Sequence, residues 1–381
     1  MTVSEAAPTI RKSSRVTERE RGGGGHLPVP AQRDPGLTCE RLTAWLGERL
    51  PGAEHLQVSG LRTPSLSGFS SETLLFDAEW ADDGVRHRQS LVARVAPTAY
   101  RLFPDPRFEE CCRVMRILDR DTDVPVPAIR WYESEAGALG APFVVMDQVA
   151  GQVPSDMPTY HQEGWVFEAS PADRERLWWR SLEVLAGIHS LDVDALGLGF
   201  VDRPECGRTG IDQQLGYYER FLAWVGDLPV ARAALEWLRA EQPAETGPPR
   251  LLWGDARIGN IIFRDFEPCA VLDWEMVTLG QPEVDLAWFL YLDRHHSEGA
   301  ATARLSGLPS PADTVAAYER LLGRPMRDLA YYEVFAGLRF AVIMARLGQL
   351  FIDFGLLPPD SDFSSDNTAT RLLRVILDAR C

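Results

Sequence analysis

Apolar and polar positions change their period along this chain. Leu42, Trp45, Leu46 and Leu50 recur at helical intervals; Thr38 stands where a helix cap is favoured, and Pro51 and Gly52 close the run. Short apolar runs follow: Leu74, Leu75 and Phe76 after the flexible segment LSGFSSE, then Leu91 to Val95 before Pro97. The spacing predicts a helix over 108–118 with Val114, Ile117 and Leu118 turned inward. It also predicts a strand around Trp131, reached through Val124, Val126 and Ile129, and an apolar strand over 143–146 that ends at Asp147. Strand, strand, helix, strand, strand describes a small sheet with one packed helix.

After Gly151 the period becomes helical. Leu177, Trp178, Leu182, Leu185 and Ile188 share one face of a helix over 174–189. Further helices are expected over 214–224, 231–238, 283–292, 311–322 and 329–350. The expected organisation is a flexible tail over 1–35, a nucleotide-binding lobe over 36–147 and a helical catalytic and acceptor-binding lobe over 148–381. The class is α+β, with a cleft between a small sheet-rich N-lobe and a larger helical C-lobe.

Composition narrows the functional classes. A chain of 381 residues buries a large core. Its net charge of -16 argues against a nonspecific nucleic-acid binder, which would need basic patches to meet phosphates. Lys12 is the only lysine, so any phosphate contact in the folded body that needs a long cation must use arginine. Six cysteines without a CxxC pair fit a reducing, cytoplasmic setting, and no stretch of eighteen uninterrupted apolar residues suggests a membrane span. Arg11, Lys12, Arg15, Arg19 and Arg21 lie in a polar segment ending at Gly22 to Gly25, unlike a secretory signal. Nothing in the sequence sets an oligomeric state.

The chemistry concentrates in LLWGDARIGNIIFRD, 251–265, and AVLDWEMVTLG, 270–280. Asp255, Asn260 and Asp273 each stand just beyond an apolar, strand-like run, an arrangement suited to phosphoryl transfer. Asp255 would orient a substrate hydroxyl or accept its proton, while Asn260 and Asp273 would hold the Mg2+ that accompanies a nucleotide triphosphate. Arg94, inside an apolar strand, needs either a carboxylate partner or nucleotide phosphates, with Glu109 and Glu110 nearest in sequence. Gly68, Ser70 and Ser71 form a turn able to approach phosphate. The backbone at Asp147, Gln148 and Val149, with Met146 packing beside it, could meet an adenine edge. Candidate acceptor contacts are Arg257, Glu275, Asp293, Arg294, His295, His296, Arg339 and Arg346. His189 reads as a packed supporting residue, and His295 and His296 lack a third ligand at zinc-compatible spacing.

This ordered set resembles the aminoglycoside phosphotransferase superfamily, in particular a broad bacterial group related to the kinase-like region of acyl-CoA dehydrogenase family member 10. The resemblance rests on WGDARIGN at 253–260 and LDWE at 272–275. LVARVAP, DVPVPAIRW, LGAPFVVMDQVAG, LAGIHSLD and GQPEVDLAWF support it, and together the motifs cover roughly 37–350. It implies a protein-kinase-like fold with ATP between the lobes, Asp255 as base, Asn260 and Asp273 as magnesium ligands, Arg94 as the phosphate-contacting cation and Asp285 as support for the catalytic lobe. Two positions depart from the family pattern: Trp253 stands for the usual histidine before Gly-Asp, and Arg94 for the lysine of many drug phosphotransferases. The expected activity is transfer of the ATP γ-phosphoryl group to a hydroxyl of a small molecule, with GTP not distinguished from ATP. A noncatalytic nucleotide sensor and an antibiotic phosphotransferase are the alternatives.

Overall fold

The computed structural model describes residues 33–63, 71–98, 100–208 and 210–380. Residues 1–32 of the tail expected over 1–35, and Gly68 and Ser70 of the expected phosphate turn, lie outside the described residues, whereas Asp34 and Pro35 of that tail belong to the start of the first helix.

Helix α1 (Pro35–Gly47) begins earlier than the Thr38 cap would place it. Asp34 is the cap: its carboxylate accepts from the Leu37 N–H at 2.7 Å, and Pro35 occupies the first turn, where a missing N–H costs nothing. Thr38 lies inside the helix and donates its hydroxyl to the Asp34 carbonyl at 2.7 Å. Leu42, Trp45 and Leu46 are buried, and the Trp45 ring packs tilted against Phe143 of the sheet, with centroids 4.7 Å apart.

That sheet comprises β1 (Glu54–Arg62), β2 (Glu72–Asp82), β3 (Val85–Val95), β4 (Ile129–Glu133) and β5 (Phe143–Asp147), in the order β1-β2-β3-β5-β4. Every adjacent pair is antiparallel. The β2–β3 hairpin turns on Asp83 and Gly84, both at positive φ, as a two-residue reversal matched to strand twist requires. Period-two burial puts Leu74, Phe76, Leu91, Ala93, Val95, Phe143 and Val145 in one apolar cluster with α1. β1 was not expected: only Val58 among its nine residues is buried, so no apolar alternation marks it.

Helix α2 (Phe108–Asp121) packs on the small sheet, as expected, and its apolar side also joins the large-lobe core. Cys111, Cys112, Val114, Met115 and Leu118 cluster with the buried residues of the large lobe, together with Val144 and Met146 from β5. The connection leading into α2 is fastened to the same lobe. Arg107 donates to the carbonyls of Phe200, Val201 and Asp202, Arg203 pairs with Asp105 at 3.3 Å, and Arg346 donates to the Arg101 carbonyl at 2.9 Å.

The large lobe contains the short α3 (Trp165–Glu168), then α4 (Pro171–His189), α5 (Gly210–Val225) and α6 (Pro229–Ala240). Two strand pairs follow: β6 (Arg250–Leu252) with β9 (Thr278–Gly280), and β7 (Ile261–Arg264) with β8 (Glu267–Val271). Helices α7 (Glu283–Arg294), α8 (Pro311–Leu322), α9 (Leu329–Asp353) and α10 (Thr368–Asp378) surround them. α9 is long and apolar enough to cross a membrane by length and composition, but 67% of its most apolar window is buried inside the lobe, as in a core helix. α10 escaped the sequence reading despite a full capping box between Asn367 and Thr370. The architecture is α+β and protein-kinase-like: a small sheet-rich lobe above a larger helical one.

Candidate active site

The loop between β6 and β7 and the segment after β8 are joined backbone to backbone, since the Leu272 N–H donates to the Asn260 carbonyl at 2.8 Å. This sets Asp273, one residue further on, beside the loop that carries Asp255 and Asn260. Within the loop the Asn260 amide donates to the Asp255 carbonyl at 3.1 Å and to Asp255 Oδ2 at 2.6 Å. Its nitrogen is thereby committed, which leaves Oδ1 as an acceptor for a cation. Asp273 holds φ 55° and ψ 65°, a left-handed conformation that aspartate tolerates better than most side chains and that turns it out of the strand direction.

The partner of Arg94 comes from the large lobe rather than from Glu109 or Glu110. Arg94 Nη1 lies 2.7 Å from Asp273 Oδ1, Nη2 lies 3.9 Å from Glu275, and Nε and Nη2 donate to the Ser71 hydroxyl at 3.0 and 2.7 Å. Burial opposes the Arg94 charge, but Asp273 and then Glu275 outweigh it and hold the guanidinium above its usual pKa. At the strand leaving the small lobe, the Asp147 N–H donates to the Ala128 carbonyl and the Gln148 N–H to the Ser90 carbonyl. Their side chains are engaged as well, Asp147 with Gln89 and Arg130 and Gln148 with Arg62. Met146 is buried beneath them. Among the described residues only the Val149 N–H of this trio makes no hydrogen bond, so the expected adenine contact narrows to one donor.

Support for the loop comes from below. Asp285, fully buried, accepts from the N–H of Trp253 at 2.7 Å and of Gly254 at 3.1 Å, and lies 3.1 Å from His189 Nε2. His189 Nδ1 in turn meets the Tyr318 hydroxyl. Gly254 has φ 91°, and a Cβ there would overlap the Met276 carbonyl, so glycine is required on both grounds. Trp253 acquires a role of its own: its indole N–H donates to the Leu272 carbonyl at 2.7 Å and ties the loop to the residue preceding Asp273. Arg339 donates to the Gly254 carbonyl at 2.6 Å.

Sequence reasoning missed two side chains. Trp288 donates its indole N–H to Asp255 Oδ1 at 2.8 Å; it lies three residues after Asp285 in the same quoted motif, a usable signal. Asp156 pairs with Arg257 Nη1 across 101 residues of chain, which nothing local announces. Arg257 also donates from Nε to Asp255 Oδ2 at 3.2 Å, so it lies between two carboxylates. Burial opposes its charge, while Asp156 and then Asp255 raise its pKa.

The other expected acceptor contacts are placed differently from one another. His296 lies 3.6 Å from Asp156, and His295 packs edge-on against Phe340 at 4.6 Å. Burial lowers the pKa of both rings, that of His295 to about 3. Three charges expected at an acceptor are engaged within the lobe. Asp293 is buried under the Tyr160 hydroxyl, His161 and Arg304; Arg339 is 2% exposed against Trp288; and Arg294 is held by Glu298 and Glu333. The cause is common to the first two, because a charge on an apolar helix can sit inside only with partners that satisfy it. Arg346 lies over Trp224 at 4.5 Å.

The donor set fits magnesium in one respect: Asn260 Oδ1 and the Asp273 carboxylate are hard oxygen ligands. No group of three or more His, Cys, Asp or Glu side chains gathers around a common point among the described residues. A cation here would therefore draw its remaining ligands from phosphate oxygens and water, the usual habit of Mg2+.

Acyl-CoA dehydrogenase family member 11 of Gallus gallus is 35% identical over 167 residues, covering 43% of this chain and 20% of its own length. The aligned part is thus a fraction of that longer relative. A Ralstonia eutropha protein assigned to the aminoglycoside phosphotransferases has a crystal structure that superposes with a TM-score of 0.64, at 26% identity, covering 88% of this chain and 95% of that one. An aminoglycoside phosphotransferase crystallised with ADP and hygromycin B shares the fold at a TM-score of 0.54 and 15% identity, covering 89% of this chain and 98% of its own. The model of the phosphotransferase enzyme family matches residues 67–325. With that match, the chain belongs to the phosphotransferase enzyme family.

Proposed function

We propose that this phosphotransferase moves the γ-phosphoryl group of ATP to a hydroxyl of a small molecule, with Mg2+ as the accompanying cation. The observation that carries the reading is the pair Asp255–Asn260, hydrogen-bonded on one loop and set beside Asp273 and Arg94. One neighbour of the same fold holds ADP and another GDP, which supports a nucleotide in the cleft; ATP is the working assumption from the family resemblance.

In this reading Asp255 orients the acceptor hydroxyl and takes its proton as the oxygen bonds to the γ-phosphorus. The bond to the bridging oxygen breaks, and ADP leaves. Arg94 exchanges Asp273 for phosphate oxygens, and Arg257, held by Asp156, offers a second cation beside Asp255. Asn260 and Asp273 would hold Mg2+, which neutralises charge on the phosphates when bound. The five described cysteines are free thiols, which supports a reducing, cytoplasmic setting.

A noncatalytic sensor would have no need of an oriented carboxylate at Asp255. The deciding experiment incubates the protein with Mg2+, γ-labelled ATP and a metabolite extract and resolves labelled small products by mass. Asp255→Asn should lower the rate by about 100-fold or more, in the range general-base removal produces, with ATP affinity retained. Equal turnover by a folded variant would remove Asp255 from the reaction.

A further inference from the structure

Phosphoryl transfer between two lobes asks two separate things of carboxylates: one pairs the cation on the small-lobe strand, and another holds the metal. Here Asp273 stands in both positions. It lies 2.7 Å from Arg94 Nη1, and its carboxylate is one of the two hard oxygen donors that fit Mg2+. A carboxylate turned to a metal cannot keep its ion pair undiminished, so loading the site leaves Arg94 in need of a second partner. The need is strong, because the Arg94 side chain is only 19% exposed and a buried charge without a partner is costly.

Helix α2 lies beside the sheet but does not supply that partner. Glu109 is exposed, and Glu110 is held by Arg107 at 3.1 Å. The α2 side chains that feel the Arg94 charge are Cys111 and Cys112, both buried. Burial pushes the Cys112 thiol up to about 12 against that charge, so this face of the helix is neutral. Glu275 stands there instead. It belongs to the turn Trp274–Met276 just after Asp273, lines a small cavity with Phe108 and Cys111 of α2, and lies 3.9 Å from Arg94 Nη2. That distance is close enough for attraction and too long for a hydrogen bond, as for a partner held in reserve. Among the described residues, Asp273 and Glu275 are the carboxylates within ion-pair reach of Arg94. The guanidinium divides its donors to match: Nη1 faces Asp273, while Nε and Nη2 hold the Ser71 hydroxyl at 3.0 and 2.7 Å on the side toward Glu275. If Asp273 turns away, Nη1 is released for a phosphate oxygen and the other edge of the fork stays fixed. A lysine ammonium is a single point charge and could not divide in this way, which gives arginine at position 94 a physical reason.

We propose that Glu275 is the positioning carboxylate of Arg94 in the nucleotide-loaded protein: it takes over the guanidinium when Asp273 turns to Mg2+, which leaves Nη1 to the nucleotide phosphates. The proposal rests on the phosphoryl-transfer reading, and it places Glu275 on the nucleotide side of the crevice rather than at the acceptor.

Two measurements on the full chain test it, and the first uses no nucleotide. Asp273→Asn keeps a side chain that tolerates the left-handed backbone and imitates the departure of the carboxylate, while Glu275→Gln removes the reserve. Each alone leaves Arg94 one carboxylate; the double variant leaves it none. In urea unfolding, the equilibrium constant of the double variant should shift at least about fivefold beyond the product of the two single shifts, and Arg94→Met should abolish that excess. The second measurement is calorimetric titration with Mg·ADP. Glu275→Gln should weaken binding about tenfold, the worth of a hydrogen bond to a charged group, and Glu275→Asp should fall between the two. In the Arg94→Met background the same change should cost less than about twofold, because Glu275 acts through Arg94. Single shifts that simply multiply overturn the proposal, as does an equal loss in the Arg94→Met background, which would make Glu275 a ligand of the metal itself. Wild type that binds no Mg·ADP would sink the nucleotide reading and this proposal with it, whereas wild type that binds, with Glu275→Gln its equal, overturns this proposal alone.

Discussion

Trp288 donates its indole N–H to Oδ1 of Asp255 at 2.8 Å, while Oδ2 receives Asn260 and Arg257. Both oxygens of the proposed base are therefore held by donors from different elements, and the carboxylate plane has little freedom. Trp288→Phe keeps an aromatic ring under the 4.3 Å Arg339 contact but removes the donor. The expected result is a fall in kcat of about tenfold, the equivalent of roughly 1.4 kcal/mol, with the KM for ATP unchanged. A rise in that KM with constant kcat would assign Trp288 to nucleotide binding instead.

Arg94 connects the lobes through Ser71 on one side and Asp273 on the other. Arg94→Ala should raise the KM for ATP by at least tenfold. Arg94→Lys should recover part of the loss, because lysine restores the charge but not the fork that reaches Ser71 and Asp273 together. Steady-state kinetics over an ATP series checks both; a lysine variant equal to wild type would show that the guanidinium shape is immaterial.

Asp285 supports the loop that carries Asp255 with hydrogen bonds from two backbone N–H groups and the His189 ring, all buried. Asp285→Asn replaces one carboxylate oxygen with a donor that faces donors. Urea unfolding should show a loss of about 2–4 kcal/mol, the range for breaking a buried charged network. Asp366→Asn, which disturbs only an exposed pair with Arg371, should stay within about 0.5 kcal/mol of wild type.

His295 gives the protein a pH dependence of definite sign. Burial lowers its pKa from 6.5 to about 3, so between those values the unfolded chain binds a proton that the folded chain does not. Stability contributed by this ring is complete above pH 6.5 and declines as pH falls toward 3, by about 1.4 kcal/mol for each unit. Thermal unfolding of His295→Phe should thus show a shallower acid-side decline than wild type, with the curves converging above pH 7. Parallel curves would mean that the ring titrates normally in the folded state.

The legible parts of the molecule share a physical reason. Strands β2, β3 and β5 and most helices announce themselves because one face is buried at a fixed period, and Asp255, Asn260 and Asp273 stand out because they interrupt apolar runs. β1 carries one buried residue and is held by backbone pairing to β2, which side-chain pattern cannot report. Partnerships were the harder part. Arg94 meets carboxylates 179 and 181 positions later, and Arg257 meets Asp156 across the lobe. Arg339 looked like a contact for an incoming molecule because arginine in a helix usually seeks the surface. Its 2% exposure follows from the Gly254 carbonyl and three aromatic rings that receive it.

The seating of α2 makes it a keystone: its buried side chains lie against Val144 and Met146 of the sheet and against the large-lobe core alike, while Arg107 and Arg346 fasten the chain leading into it to the lobe below. Arg94 on β3 crosses the same seam to Asp273, so the charge beside Asp255 is a joint property of both lobes.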